Sequence, residues 1–455
     1  MPKIEENLSA DDHRGKRRRG KVKGRIVDIN SLLEVQSLLG NESRAKDLLI
    51  EHLHKIQDKF GHLSAPHLVA LAREMKLSTA EVYEVASFYH HFDVVKENDQ
   101  APAALTVRVC ESVSCEMAGA EALIEALESS LGDGVRVQRV PCVGRCDQAP
   151  VAVVGQNTID RAEVAGVKAA VDSGAITQSM PANCIGFPDY KAAGGYRLYD
   201  SLLAGDMDGD AIIAALEGSA LRGLGGAGFP VGRKWRILRD QPSPRLMAIN
   251  IDEGEPGTFK DRHYMLADPH RFLEGLLIAA RVIGIEHCYI YVRDEYPSVS
   301  QVLAEAIATL QNDSGYALPV LELRRGAGAY ICGEESAMIE SIEGKRGMPR
   351  LRPPFVAEVG LFGRPTLEQN CESLYWVRDV IEKGAEWFDA QGRNGRKGLR
   401  SFSVSGRVNK PGVHLAPAGI TIKELIEEYC GGMIDGQSFY GYFPGGASGG
   451  ILPAS

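Results

Sequence analysis

Four cysteines in one short stretch are the residues of this sequence whose spacing most clearly indicates chemistry. They form two pairs, Cys110-x4-Cys115 and Cys142-x3-Cys146, whereas the other five of the nine cysteines are scattered along 455 residues. A predicted strand, LTVRV, ends at the first pair, and a second, VRVQRV, ends at the other. Two adjacent loops at the same sheet edge can bring four thiolates together, which predicts a metal site.

The ligand type limits the choice of metal. Thiolates are soft ligands that suit an iron–sulfur cluster or zinc. Zinc loops mostly use CxxC pairs, although longer spacers occur, and a disulfide is disfavoured because the sequence has no secretory signal. We therefore interpret the quartet as the ligands of a [2Fe–2S] cluster, with a structural zinc site or no metal as the alternatives.

A glycine-rich loop further along the chain indicates close backbone approach to a ligand. The segment RGLGGAGFP matches GxGxxG from Gly223 to Gly228, but it follows a predicted helix and not a strand, which argues against an ordinary dinucleotide-binding unit. Its N–H groups and the start of the next helix favour an anion such as a phosphate, and Lys234 adds a cation. The alternative is a tight turn that needs small residues.

An acidic segment directly follows the predicted strand RLMAI. Asp252, Glu253 and Glu255 are three carboxylates within four residues, which is costly if all are buried together. They suit accepting hydrogen bonds from hydroxyls, amides or a ribityl chain, or binding a metal. The alternative is a solvated acidic turn.

A second strand-to-helix loop, GAGAYICGEE, combines glycines with paired carboxylates. Glu334 and Glu335 are placed at a helix N-terminus, where the helix dipole favours negative charge. Tyr330 could stack on a ring or be an ordinary core residue. Cys332 is interpreted as a small buried residue.

Composition excludes several classes of protein. With 44% hydrophobic and 24% charged residues the chain is globular, and its length allows two to four domains. The net charge of −9 argues against nucleic-acid binding by the body of the protein. No apolar stretch is long enough to span a membrane and no signal peptide is visible, which predicts no membrane partner and a cytoplasmic location.

Pattern and composition divide the chain into segments. A run of eight basic residues between Arg14 and Arg25 is interpreted as a solvated tail or one that docks on an acidic partner, with nucleic-acid or anionic-lipid binding as the alternative. Residues 30–95 have helical periodicity, and residues 104–175 alternate strand and helix. Residues 176–210 are interpreted as a linker and lead-in. A second α/β region and a short α+β segment follow.

Three long motifs together resemble one family. RGLGGAGFPVGRKW, DEGEPGTFKDR and GAGAYICGEES with EGKRGMPRLRPPF resemble the FMN- and NADH-binding subunit of respiratory complex I. The cysteine quartet and the helices before it resemble the thioredoxin-fold [2Fe–2S] partner of that subunit. The chain is thus similar to a fusion of the 24-kDa-like and 51-kDa-like subunits. Such fusions resemble the beta, or diaphorase, subunit of NAD-dependent molybdenum- or tungsten-containing formate dehydrogenases, and they also occur in NAD-reducing hydrogenases.

The resemblance implies two adjoining ligand sites. The residues that it assigns to FMN are Gly223, Gly225, Gly226, Gly228, Lys234, Asn250, Asp252, Glu253, Gly333, Glu334, Asn370 and Ser373. The residues that it assigns to NAD(H) are Phe229, Glu255, Tyr330, Glu335, Arg352 and Phe355. Three departures from the family pattern matter: Leu224 replaces an arginine, Arg352 replaces a lysine, and Gln369-Asn370-Cys371-Glu372-Ser373 stands where NNVET is usual, with Gln369 and Ser373 doubtful as one-for-one replacements.

The resemblance also implies a fold and a set of domains. The expected class is α/β, with a thioredoxin-like [2Fe–2S] domain, a 51-kDa-like FMN-binding domain and a small β-grasp-like domain. The expected boundaries are a basic disordered tail at 1–29, helices at 30–100, the [2Fe–2S] domain at 101–180, the FMN/NAD domain at 181–395 and the β-grasp-like domain at 396–455. The [4Fe–4S] domain of the family has no counterpart here, so that cluster is expected only if a C-terminal region is missing.

The implied function is electron transfer between NAD(H) and an iron–sulfur chain through FMN. Flavin would carry out the hydride transfer, so no catalytic side chain is expected. The segments RDEYP and PGGASGGILPAS favour a formate dehydrogenase complex, with a molybdenum- or tungsten-containing catalytic alpha subunit as partner. The alternatives are the diaphorase subunit of an NAD-reducing hydrogenase and, because of Leu224 and the missing C-terminal domain, a flavin-free electron-transfer or scaffold subunit.

Overall fold

The computed structural model describes residues 25–181 and 183–454. Its helices are α1 Ile29–Leu39, α2 Leu49–Phe60, α3 Ala65–Met75, α4 Thr79–Phe88, α5 Val113–Met117, α6 Ala120–Ser130, α7 Val164–Ser173, α8 Phe187–Ala192, α9 Arg197–Ala204, α10 Gly209–Gly218, α11 Val231–Arg239, α12 Lys260–Ala267, α13 Pro269–Ile283, α14 Pro297–Asp313, α15 Glu335–Ile342, α16 Cys371–Tyr375, α17 Val377–Lys383, α18 Ala385–Asp389 and α19 Ile422–Glu424. Its strands are β1 Leu63–Ser64, β2 Val94–Val95, β3 Leu105–Cys110, β4 Val135–Val140, β5 Ala152–Val154, β6 Asn157–Ile159, β7 Arg245–Ile251, β8 Ile285–Val292, β9 Val320–Arg325, β10 Thr366–Asn370, β11 Leu399–Val404, β12 Gly412–Pro417, β13 Gly441–Tyr442 and β14 Leu452–Pro453.

A basic tail is predicted for residues 1–29, and its residues 1–24 lie outside the described residues. Arg25, the last basic residue of its run, pairs with Glu97 at 3.1 Å, and both side chains are exposed. An exposed pair of this kind contributes little to stability.

Side-chain caps fix the boundaries of the N-terminal helices. α3 begins after Ser64, whose hydroxyl accepts an N–H of the first turn, and α4 begins after Ser78, which forms a capping box with Glu81. α2 ends at Gly61, whose φ of +75° is a conformation that glycine adopts without strain. A serine before the first turn and a glycine after the last turn are ordinary sequence signals of helix ends, so local sequence predicts these boundaries.

The four cysteines lie at the edge of a four-stranded sheet in the order β4-β3-β5-β6. β3 and β4 are parallel and are connected through α6, whereas β5 and β6 are antiparallel to their neighbours. Cys110 ends β3 and Cys142 follows β4, so both cysteine loops leave the same edge. Val107, Ile124 and Val167 join the sheet and its helices in one core. The predicted thioredoxin-like unit is thereby confirmed.

A second four-stranded sheet, β10-β7-β8-β9, is parallel throughout. Parallel strands need long crossover connections, which α12 with α13 and α14 supply. Because the strands point the same way, the loops after Ile251, Val292, Arg325 and Asn370 leave one edge of the sheet. Both acidic motifs follow strands of this sheet, and the carboxyl edge is where open α/β sheets bind ligands.

Two parts of this region differ from expectation. The segment interpreted as a linker contains α8 and α9, and Phe187, Tyr190 and Tyr196 are buried in the core of the second sheet. The sequence pattern also does not predict β10, because its residues TLEQN are mostly polar, yet all five are buried. Their burial against β7 supplies the context that local sequence lacks.

The N-terminal helices share a hydrophobic core with the second sheet. Leu53, Leu71 and Tyr89 belong to the same buried cluster as Tyr291 of β8 and Ile339 of α15. The Tyr89 hydroxyl also donates to a hydroxyl of α15 at 2.9 Å. The N-terminal helices therefore pack against one face of the second sheet.

The C-terminal segment is a small α+β unit, as predicted. β11 and β12 form an antiparallel hairpin, and α19 continues into a π-helical turn over Leu425–Tyr429. Ser401 of β11 bonds to the Tyr264 hydroxyl at 2.6 Å, which joins the hairpin to α12. No helix among residues 25–181 and 183–454 is long and apolar enough to cross a membrane.

Candidate functional site

The four thiols form a buried chain of contacts at the edge of the first sheet. Cys142 Sγ and Cys146 Sγ are 3.3 Å apart, and the Cys110 thiol is in hydrogen-bonding contact with Cys115 and Cys142. Each of the four residues is at most 5% exposed. The structure therefore brings the two predicted cysteine loops together, away from solvent.

These contacts make the thiols titrate together. Hydrogen bonding to Cys110 and then to Cys146 lowers the pKa of Cys142. Hydrogen bonding to Cys115 and Cys142 raises the pKa of Cys110, and hydrogen bonding to Cys142 raises that of Cys146. Because metal binding replaces thiol protons, a closely packed, buried set of four thiols fits a [2Fe–2S] centre.

The second cysteine loop docks on the loops of the second sheet. Arg262 donates from Nε to the Gly144 carbonyl oxygen at 3.0 Å and from Nη2 to Asp147 Oδ1 at 2.9 Å. Gly144 has a φ of +69°, and a Cβ there would overlap the Tyr296 ring. Close approach of this loop to Tyr296 therefore requires glycine.

The glycine loop presents bare backbone to open space. Gly226 and Gly228 have φ values of +127° and +66°, and a Cβ on either would meet nothing within 4 Å. The opposite side of the loop is held to α16, directly after β10, because the Leu224 N–H donates to Ser373 Oγ at 2.8 Å. Such a cradle, open on the side of its backbone and followed by α11, fits an anionic group such as the FMN phosphate.

Asp252 supplies a hydrogen-bond acceptor that no described residue uses. Its N–H donates to Asn250 Oδ1 at 3.0 Å, and Asn250 Nδ2 donates to the Gly333 carbonyl oxygen at 2.8 Å. Asp252 Oδ2 is shielded from solvent and has no partner among the described residues, and burial raises the pKa of this carboxyl to about 7. A shielded, unpaired acceptor is costly unless a ligand hydroxyl reaches it, which fits the ribityl chain of FMN.

Two other carboxylates of the predicted FMN site are already engaged by the protein. Glu253 accepts two N–H groups of the first turn of α12 and the Tyr296 hydroxyl at 3.0 Å. Glu334 caps α15 by accepting two N–H groups at 2.9 Å. A direct role of these residues in FMN binding stays a prediction.

A network of charges lines the site next to α11 and α15. Lys234 Nζ pairs with Glu368 Oε2 at 3.1 Å, and Arg352 pairs with Glu335 at 2.9 Å and also with Glu334. Burial raises the pKa of Glu335. Arg352 therefore joins the MPRLRPPF segment to the start of α15, and the arginine supplies the positive charge expected of the family's lysine.

The aromatic residues predicted for NAD(H) leave large parts of their rings uncovered. Phe229 is 40% exposed, Tyr330 60% and Phe355 55%. Arg233 lies 5.7 Å from the centre of the Phe229 ring. Exposed aromatic faces beside charged groups can stack on a planar ligand such as nicotinamide or adenine.

The C-terminal glycine loop reaches the predicted NAD(H) residues. Glu255 accepts the Tyr330 hydroxyl at 2.5 Å, and the Ser448 N–H and hydroxyl both donate to it at 2.8 Å. A Cβ on Gly446 would overlap the Glu255 side chain. The small C-terminal unit thus fixes the orientation of one predicted nicotinamide residue.

The N-terminal helices support the loop that carries Tyr330. His54 Nε2 bonds to the Gly326 carbonyl oxygen at 2.8 Å, and the His91 N–H donates to the Ala327 carbonyl oxygen at 3.1 Å. Burial lowers the pKa of His54 well below its ordinary value, so this imidazole is neutral. The predicted nicotinamide loop therefore rests directly on α2 and on the segment after α4.

Sequence reasoning misses three residues that organise the site. Ser448 lies in the PGGASGG segment, for which the sequence offers only a resemblance. Arg293 and Tyr296 lie in RDEYP, directly after β8. A position after a buried strand is the same signal that identifies the acidic loop after β7, and it could have identified this segment too.

The chain matches three protein families in sequence order. These are the thioredoxin-like [2Fe-2S] ferredoxin over residues 35–174, the Nuo51 FMN-binding domain over residues 216–379 and the SLBB domain over residues 401–452. The cysteine quartet lies in the first match, and the glycine and acidic loops lie in the second. FMN, [2Fe–2S] and NAD are therefore the cofactors of this fold, which speaks against the flavin-free alternative.

Two curated proteins illustrate the relationship. The chain is 33% identical over 422 residues to the NAD-reducing hydrogenase HoxS subunit alpha of Cupriavidus necator, covering 83% of this chain and 69% of that protein. It is 42% identical over 273 residues to an NADH-quinone oxidoreductase subunit of Rhizobium meliloti, covering 58% of this chain. The match spans 65% of the length of the Rhizobium meliloti protein.

A solved structure with the same arrangement extends the comparison. The chain is similar to an NAD+-reducing [NiFe]-hydrogenase in the H2-reduced state, with a TM-score of 0.78 and 31% sequence identity. The match covers 91% of this chain and 74% of that one. The predicted α/β architecture is thereby confirmed along almost all of the chain.

The cysteine quartet makes a testable prediction. Cys142→Ser should abolish the EPR signal of the reduced [2Fe–2S] cluster, because Cys142 links both halves of the buried thiol chain. Cys184→Ser is the matched control, since Cys184 is partly exposed and lies outside the quartet. An unchanged signal in Cys142→Ser, or stoichiometric zinc in the wild-type protein, would contradict the assignment.

Proposed function

Because the chain belongs to the family of diaphorase subunits that join a thioredoxin-like [2Fe–2S] domain to a Nuo51 FMN-binding domain, we propose that it passes electrons between NAD(H) and an iron–sulfur chain. Bound FMN exchanges a hydride with nicotinamide and single electrons with iron–sulfur clusters. The protein has to hold the two cofactors close together and to keep water from the flavin.

The observation that carries this proposal is a single loop shared by both cofactor sites. At its start, the loop at residues 252–259 presents Asp252 Oδ2, which has no hydrogen-bond partner in the part of the chain that the structure describes. At its end, Phe259 is buried in one cluster with Cys142 and Cys146. A flavin held at the start of the loop would therefore adjoin a cluster held at its end.

We assign the FMN phosphate side to the glycine loop and to Lys234. The open backbone at Gly226 and Gly228 and the start of α11 favour an anion there. The ribityl chain would meet Asp252 and Asn250 at the end of β7. Asn370 at the end of β10 and Ser373 of α16 would close the site, and Ser373 already holds the glycine loop.

We assign NAD(H) to the exposed aromatic and charged residues at the mouth of the site. Phe229, Tyr330 and Phe355 offer stacking surfaces. Glu255 is oriented by Tyr330 and Ser448, so its carboxylate is held in one place before the dinucleotide arrives. Preorganised groups bind with a smaller loss of conformational entropy than mobile ones.

For the partner, we propose a molybdenum- or tungsten-containing formate dehydrogenase subunit. The complex would convert formate and NAD+ to CO2 and NADH, with formate oxidised on the partner. The support comes from the resemblance of the RDEYP and PGGASGGILPAS segments. The second candidate is a hydrogenase partner, which is favoured by the similarity to the HoxS subunit alpha and to the [NiFe]-hydrogenase structure.

The glycine loop generates a prediction about flavin binding. Gly226→Val should purify without FMN while keeping the [2Fe–2S] visible spectrum, because the side chain would fill the open space beside the backbone. Gly436→Val is the matched control, since Gly436 also has a positive φ, of +76°, and open space around it. Stoichiometric FMN in Gly226→Val would rule out this site.

The aromatic residues generate a prediction about the dinucleotide. Phe355→Ala should raise the KM for NADH in a dye-reduction assay with FMN still bound. Loss of one stacking partner costs about 1 kcal/mol, or about fivefold in affinity. Phe362→Ala is the control, because Phe362 is similarly exposed, at 45%, in the same segment of the chain. An unchanged KM in Phe355→Ala would place nicotinamide elsewhere.

The partner proposal is tested with the native complex. The isolated chain should oxidise NADH with an artificial acceptor but should not reduce NAD+ with formate. The complex purified from its natural host should reduce NAD+ with formate. The measurement is the increase in NADH absorbance. Hydrogen-dependent reduction without formate-dependent reduction would favour the second candidate and leave the diaphorase assignment intact.

A further inference from the structure

One buried cation joins the cysteine loop to the loop after β7. Arg293 is 4% exposed. Its Nη1 atom donates to the Glu253 carbonyl oxygen at 2.5 Å, and its Nη2 atom donates to the Cys142 carbonyl oxygen at 2.7 Å. A single guanidinium therefore bonds to the backbone of a predicted cluster ligand and to the backbone of the acidic loop.

The counter-charge of Arg293 is less buried than the guanidinium. Glu295 accepts from Arg293 Nε at 3.1 Å and pairs with Nη2 at 3.0 Å, but its side chain is 27% exposed. Solvent screens an exposed charge more strongly than a buried one. The guanidinium is therefore the more buried charge of this pair, and its Coulombic attraction adds to the hydrogen bonds from Cys110 and Cys146 in lowering the pKa of Cys142.

Other charges near the cysteine loop are paired among themselves. Arg262 pairs with Asp147 at 2.9 Å, and Arg145 pairs with Asp160 at 2.9 Å. Neither of these arginines bonds to a main-chain group of a cysteine in the quartet among the described contacts. Arg293 is thus distinguished from them by its direct bond to Cys142 and by its link to the acidic loop.

Reduction of a [2Fe–2S] cluster adds one negative charge in a buried place. A fixed buried cation nearby stabilises the reduced state more than the oxidised state, which raises the midpoint potential. We propose that Arg293 is a positioning residue that sets the midpoint potential of the [2Fe–2S] cluster while holding the cluster loop against the acidic loop. This inference rests on the cluster assignment and not on the identity of the partner subunit.

The alternative is that Arg293 acts only as a structural link. The two roles differ in the sign of their effects. Removing the cation should lower the midpoint potential, whereas removing its counter-charge at Glu295 should raise it. A merely structural role predicts that both changes loosen the same contact and shift the potential in the same direction or not at all.

The test is a potentiometric titration of the whole chain, in which the EPR signal of the reduced cluster is the readout. Arg293→Gln should shift the midpoint potential to a more negative value, and the isosteric Glu295→Gln should shift it to a more positive value. Arg293→Lys keeps the charge but not the paired bonds, so its potential should lie closer to wild type than that of Arg293→Gln.

Arg324→Gln is the matched control. Arg324 is also buried, at 2% exposure, but it pairs with Asp47 and Glu322 on the side of the N-terminal helices. Its loss should leave the cluster potential unchanged.

If Arg293→Gln does not fold, the positive shift of Glu295→Gln still tests the proposal. Shifts of the same sign in Arg293→Gln and Glu295→Gln, or no shift in either, would overturn it.

Discussion

The close contact between the second cysteine loop and the loop after β7 is the constraint on which the rest of the site depends. Gly144 lacks the side chain that would keep the cysteine loop away from Tyr296, and Arg262 bonds to its carbonyl group. From the other side, Phe259 at the end of the loop after β7 is buried in one cluster with Cys142 and Cys146. Two domains with separate sheets therefore share one interface at the point where the proposed electron transfer would cross, and contacts from both loops hold it together.

Charge compensation at the edge of the second sheet sets the Asp252 carboxylate apart from the other carboxylates there. Lys260 Nζ lies 3.0 Å from Glu372 Oε2, and Asn370 Nδ2 donates to Asp261 Oδ2 at 2.8 Å. Carboxylates in this region are thus largely neutralised or hydrogen-bonded within the protein, as buried charges generally are. The unpaired oxygen of Asp252 is an exception to that pattern, and a ligand hydroxyl bound at this strand end would satisfy it.

The sequence predicts those features whose signal is local. The cysteine loops, the acidic segment after β7 and the caps at Ser64 and Ser78 depend on residues within a few positions of one another. The missed features depend on distant partners. β10 is polar but buried against β7, and Ser448 approaches Glu255 only because the C-terminal unit folds back across the second sheet's edge. Motif spacing also does not reveal that the Glu334 carboxylate is occupied in capping α15.

The N-terminal helices connect the two cofactor sites in a way that the order of the domains does not suggest. They belong to the same family match as the cysteine domain, yet their core is continuous with the second sheet. Asp93, which follows these helices, pairs with Arg136 of β4 through two hydrogen bonds, the longer at 2.8 Å. His54 meanwhile holds the carbonyl group of Gly326. Because the helical layer and the segment directly after it bond to the cysteine sheet and to the predicted nicotinamide loop, packed helices set the spacing between the two proposed sites.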